Sequence, residues 1–156
     1  MMQHSPETAA KAREWLERAR LDLEDAKRLH ATRPSGYDNV GFLCQQATEK
    51  VIKAFLVAHE TDFPKTHDIR ALLVGQVATI DAELAREARF TDELTPYAVA
   101  GRYPAGFEMV DRECAETLIA IMDRAWALFE PRITALLEPE ADDEGADEAD
   151  AHNPDA

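Results

Sequence analysis

The chain has 156 residues, 46% of them hydrophobic and 31% charged. One domain is the expectation at that length, with a core large enough to need no disulfide or metal. The formal charge of −14 is unevenly spread: nine acids and no Lys or Arg follow Leu137, leaving −5 for residues 1–137. That balance argues against a protein that grips nucleic acid by bulk charge alone, while leaving room for a local basic patch.

Cys44 and Cys114 are far apart, with no Cys-x-x-Cys or His-Cys spacing. They read as small buried hydrophobes in a reduced, cytoplasmic protein. No segment has the length and apolarity of a bilayer span, and the N-terminal stretch lacks the basic-then-apolar pattern of a signal peptide. His4, His59 and His152 show no metal spacing, and no Gly-rich phosphate loop or nucleophile elbow is present. No cofactor is expected.

Ser5-Pro6-Glu7 has the residues of a helix start: a capping hydroxyl, a proline suited to the first position and an acid suited to the positive end of the dipole. Ala12, Leu16, Ala19, Leu23, Ala26 and His30 follow at alternating spacings of four and three, which makes one buried stripe. Glu14–Arg18 and Glu24–Arg28 are spaced for ion pairs on the wet side. Arg33-Pro34-Ser35-Gly36 stops this helix.

Asp38 is placed to cap a second helix running to about His59. Val40, Leu43, Cys44, Ala47, Val51, Ala54, Phe55 and Ala58 make one stripe, and Phe42, Ile52 and Leu56 a second. Two stripes predict a central helix covered on more than one side, part of it in a subunit contact. Asp68 caps a third helix through Ile80, and Asp81 restarts a short one through Arg89. Thr91 to Phe107, with two prolines and two glycines, reads as a long loop with at most a turn of helix. The last helix runs from about Glu108 to Leu137, with Pro131 expected to kink or split it. No run reads as a strand. The expectation is an all-α, antiparallel up-and-down bundle of four to five helices over residues 1–137. The acidic tail, 138–156, has no large apolar residue and is expected to be disordered.

Three blocks of this sequence resemble the HEPN family, the higher eukaryotes and prokaryotes nucleotide-binding domain. The first is Phe42, Gln45, Gln46, Ala47, Glu49, Lys50, Lys53 and Ala54, followed by Lys65-Thr66-His67-Asp68. The second is Leu94, Tyr97, Arg102, Tyr103 and Pro104, and the third is the opening WLERARLDLEDAKRL from Trp15. The resemblance covers Trp15 to Phe129. It implies a helical bundle, usually a homodimer. Some members are metal-independent RNase toxins paired with a minimal nucleotidyltransferase antitoxin; others are nucleotide-binding or accessory modules beside such a transferase. The RNase members carry an Arg followed roughly four to six residues later by a His, a pair able to stabilise phosphorane charge and move a proton. Arg102 is followed by no such His, and none of the other arginines has one at that distance. The resemblance therefore implies a nucleotide-binding or accessory partner of a minimal nucleotidyltransferase. The alternative is an RNase with a diverged active site.

The candidate ligand-binding residues are Lys50, Lys53, His67, Tyr97, Arg102 and Tyr103. Lys50 and Lys53 are three apart, so both heads can reach one phosphate-sized anion. Lys53 is also four from Glu49, the spacing of a helix-supporting ion pair. His67 reads either as a turn residue pinned by backbone hydrogen bonds or as a proton-transfer or ligand-contacting group. Arg102 suits bidentate phosphate contact, with Tyr97 or Tyr103 stacking on a base; the structural alternative pairs Arg102 with Glu49. Trp15 and Trp126 fall on helical faces and read as packing. Nucleotide and RNA are the ligand classes these residues suit.

Overall fold

A computed structural model of the chain describes residues 4–99 and 110–138. Helix α1 spans Pro6–Thr32 and α2 spans Asp38–Ala58. A third helical run is made of α3 (Ile69–Leu72), a π-helical turn (Leu73–Val77) and α4 (Ala78–Ile80). Helix α5 (Ala82–Glu87) passes into a 3-10 helix (Ala88–Tyr97), and α6 spans Arg112–Leu137. The fold is an all-α bundle. Arg102, Tyr103 and the acidic tail beyond Glu138 lie outside the described residues.

Cross-helix contacts set the directions. Lys50 meets Asp22, and Thr8 donates to Glu60, so α1 and α2 are antiparallel. Lys27 meets Asp123 and Arg13 donates to the Leu137 carbonyl, so α1 and α6 are antiparallel too. Phe55 stacks edge-on against Phe129 at 5.4 Å, and Asp38 accepts from the Val110 amide, so α2 and α6 run parallel. Two parallel helices need a long return between them, which the chain from Ala58 to Arg112 supplies.

The expected caps are present where they depend on local sequence. Ser5 accepts from Thr8 N, Asp68 from Ala71 N and Asp81 from Leu84 N. Gly36 has φ 76°, where glycine meets no steric cost. On α1, Ala12, Ala19 and Ala26 are fully buried, and their small size lets α2 lie close. On α2, the doubly apolar pattern is matched by burial of fourteen residues, among them Ile52 and Leu56 from the second stripe.

Several expectations are corrected. Asp38 is the first residue of α2, not its cap; its carboxylate reaches across to Val110 N. Glu24 pairs with Arg20, and Arg28 with Asp25, in place of a Glu24–Arg28 pair. Both partners are equally near on the helix surface, so spacing alone does not choose. Pro131 does not split α6. Pro131 and Ala127, the residue four before it, are both exposed, so the carbonyl freed by the missing N–H can turn to water.

The loop expected from Thr91 is helical as far as Tyr97. Ala88, Thr91 and Leu94 are buried and Tyr97 is half-buried. A strict period of three stays on one face along a 3-10 helix, where an α-helix would drift off it, and Thr91 Oγ1 donates to the Ala88 carbonyl at 2.6 Å along it. The end of this stripe touches α2 at Gly41. A Cβ there would lie 3.0 Å from Tyr97 Cδ1, 3.2 Å from Tyr97 Cγ and 3.3 Å from Leu118 Cδ1. Glycine at this position therefore lets α2, α6 and the 3-10 helix close on one another.

Gly41→Ala should gain about 1 kcal/mol of helix propensity and lose about 1–3 kcal/mol to overpacking. The expected net is a lower urea midpoint at an unchanged denaturant slope; a midpoint at or above wild type would show that Tyr97 yields without cost.

Candidate functional site

Helix α2 presents Gln45, Glu49 and Lys53 at intervals of four, one above the other on a single face. All three are buried, at 0%, 3% and 7% exposure. Burying such groups is unfavourable unless each finds partners. The connection from α2 to α3 provides them. The chain leaves α2 through Glu60 at φ 53°, with Thr61 N donating to the Leu56 carbonyl, and runs back along the helix.

Lys53 Nζ donates to Glu49 Oε1 at 2.5 Å and to the Thr66 carbonyl at 3.2 Å. Gln45 Nε2 donates to Glu49 Oε2 at 2.9 Å and to the His67 carbonyl at 3.0 Å. Gln45 Oε1 accepts from Gln46 Nε2 at 2.8 Å. His67 Nδ1 stands 3.1 Å from Glu49 Oε2. One carboxylate is thus shared by an ammonium, an amide and an imidazole. The 66–67 turn is tied to α2 by two backbone carbonyls and one side chain, while Asp68 N donates to Thr66 Oγ1 and sets the capping geometry of α3.

Burial by itself would raise the Glu49 carboxyl. The hydrogen bonds from Lys53, Gln45 and His67 outweigh it and hold the group below the ordinary value of 4.5. An ionised carboxylate selects the imidazole tautomer with the proton on Nδ1. The other nitrogen, Nε2, belongs to a side chain that is 68% exposed.

Lys53 also sits 5.6 Å from the ring centroids of both Trp15 and Phe63, which meet edge-on at 6.2 Å. Trp15 is half-buried against the core and lines a groove of about 380 Å³ with Lys11, Glu14, Arg18 and Lys50.

The six candidate residues divide accordingly. Lys53 and His67 come together on Glu49. Lys50 does not join them there; its ammonium is 2.5 Å from Asp22 of α1. Tyr97 packs over the Gly41 position, and its hydroxyl is 3.7 Å from Cys114 Sγ. Burial and the nearby thiol push Tyr97 up to about 12, so it stays a neutral phenol. Arg102 and Tyr103, and with them the Arg102–Glu49 pair, lie outside the described residues. Gln45 is the residue that sequence reasoning missed. Its signal was a polar side chain four before Glu49 on a helix otherwise buried on that flank. Among the described residues, no cluster of three or more His, Cys, Asp and Glu could hold a metal, and no helix is long and apolar enough to cross a membrane.

Glu49→Ala leaves Lys53 buried without its counter-charge and should cost about 3–5 kcal/mol. The pH dependence follows from the sign of the shift. A carboxyl lowered in the fold contributes stability that is present above its ordinary value of 4.5 and lost as pH falls through the folded value. Urea denaturation from pH 7 to pH 3 (roughly the window that spans both states) should show wild type losing stability at the acid end more steeply than Glu49→Gln. Parallel curves would show that Glu49 does not govern the acid response.

Comparison with known proteins agrees with this architecture. The HEPN domain family model matches residues 12–132, a span that holds α1 from Ala12, the whole Glu49 centre and most of α6. No protein in the curated set matches the chain. Among solved structures, TT1696 from Thermus thermophilus is similar, with a TM-score of 0.61 and 25% identity over 78% of this chain and 98% of that one. The helical run that carries Gln45, Glu49 and Lys53, and the Thr66–Asp68 turn folded back on it, fall inside the matched span, and the chain belongs to the HEPN domain family.

Proposed function

We propose that this chain is a nucleotide-binding or accessory HEPN module. In this reading it forms a homodimer and works beside a minimal nucleotidyltransferase in a toxin–antitoxin-like pair, without ribonuclease activity. The observation that carries the reading is that one buried carboxylate holds both the Lys53 ammonium and the His67 ring. Metal-independent cleavage of RNA needs positive charge aimed at a developing phosphorane. Here the Lys53 ammonium is turned inward onto Glu49 and Thr66, and no arginine precedes a histidine at the spacing of the RNase members. Binding needs less. An exposed imidazole and Lys50 offer polar contacts that require no transition-state charge.

A second reading has its own observation. An exposed imidazole oriented by a buried carboxylate is the arrangement of a general base, so His67 could serve a diverged RNase.

One assay separates the two. The purified full chain, incubated with single-stranded RNA in chelator-containing buffer, should leave the RNA intact. Cleavage that survives repeated purification and disappears in His67→Ala would replace the first reading with the second.

A further inference from the structure

Trp15 packs against Phe63 and the core and also lines a groove. A buried tryptophan contributes most when both ring faces are covered. This indole is half-buried, and it forms a wall of the 380 Å³ groove between α1 and α2. The remaining lining is Lys11, Arg18, Lys50 and a single acid, Glu14. Their order along α1 (11, 14, 15, 18) puts four of the five on one helical face, and Lys50 closes the groove from α2.

The groove's chemistry narrows what it can hold. Three cations line the groove, each with an acid beside it (Glu7, Glu14 and Asp22), and a metal ion or cationic ligand would have to displace them. An uncharged apolar ligand would desolvate these ion pairs and add no polar contact in return. The volume lies near the lower end of small-molecule sites, enough for one ring system with a charged substituent and too small for a folded partner. The cations are available at differing cost. Lys11 pairs with Glu7, and Arg18 with Glu14, through side chains that are at least 63% exposed; such pairs are worth little and exchange readily. Lys50 is more firmly held by Asp22, which fixes its position and makes it an anchor.

We propose that the α1–α2 groove is a binding site for a planar aromatic anion of mononucleotide size, its ring stacked on Trp15 and its phosphate met by Lys50, Arg18 and Lys11. The proposal rests on the nucleotide-binding reading above and gives it a place in the fold. It also moves the ligand away from His67: Lys53 lies between Trp15 and Glu49 and is turned towards the carboxylate, so it backs the indole and does not face the anion.

The test uses the full chain carrying Trp126→Phe, which leaves Trp15 as the sole tryptophan. The four ribonucleoside 5′-monophosphates are titrated against its emission and, in parallel, by calorimetry. At least one should quench Trp15 saturably. The matching nucleoside and inorganic phosphate should each bind at least about tenfold more weakly, because neither makes both contacts. Lys50→Gln and Arg18→Gln should each raise the dissociation constant about three- to tenfold with unchanged far-UV circular dichroism. In the unaltered chain, Trp15→Phe should abolish the optical response. Heat of binding with silent Trp15 emission would overturn the groove and leave the nucleotide-binding reading standing. A nucleoside as effective as its monophosphate would overturn the anion requirement, and with it the proposal. Neither heat nor quenching up to about 10 mM, the weak limit of specific binding, would overturn both.

Discussion

A carboxylate placed inside a helical bundle must be surrounded by donors, and Glu49 is the point at which this fold meets that demand. Its two oxygens take hydrogen bonds from Lys53, Gln45 and His67. Two of the donors, Lys53 and Gln45, use their remaining hydrogens to hold the carbonyls of Thr66 and His67. The consequence is architectural. The connection after α2 is pulled back along the helix, Asp68 is set to cap α3, and the third helical run starts from a fixed place. Remove the carboxylate and the Lys53 ammonium stays buried with only the Thr66 carbonyl as a hydrogen-bond partner and no counter-charge. A site of this kind contributes little net stability over an apolar substitute, but breaking half of it is expensive.

The same centre divides the polar residues of α2 into two flanks. Lys53 and His67 belong to Glu49, while Lys50 belongs to Asp22 on α1. Charge that the sequence presents as one cluster is thereby separated into an inward-facing network and an outward-facing groove. The inward network pairs Lys53 with Glu49 in a buried setting, and the groove sets three ion-paired cations beside an indole.

What could be read from the sequence was what depends on neighbours along the chain. The stripe of α1, the two stripes of α2, and the caps at Ser5, Asp68 and Asp81 all follow from local periodicity and hydrogen-bonding chemistry. The failures share a cause as well. Asp38 looks like a cap and instead bonds Val110, 72 positions away. The period-three stripe of Ala88, Thr91, Leu94 and Tyr97 was hidden by Pro96 and by the glycine that follows in the chain, both of which argue for a loop. Glu49 and Lys53 have the spacing of an exposed ion pair, and only the return of residues 59–68 makes the pair buried. Of the site, Lys53 and His67 were identified and brought together, while Gln45 entered only as a motif position and its role as a donor to Glu49 was not drawn from its spacing. Trp15 packs against the core as its helical position implied, and the groove beside it is a feature that helical position alone does not reveal.

Glu49 and Lys53 act as one unit inside the fold, and a double-mutant cycle measures that unit directly. Glu49→Gln, Lys53→Met and the double variant would be compared with wild type by urea denaturation at neutral pH. A buried, shared pair predicts a coupling energy of about 1.5–3 kcal/mol, with the double variant more stable than the sum of the singles implies. A coupling below about 0.5 kcal/mol, the value of an ordinary exposed helix pair, would contradict it.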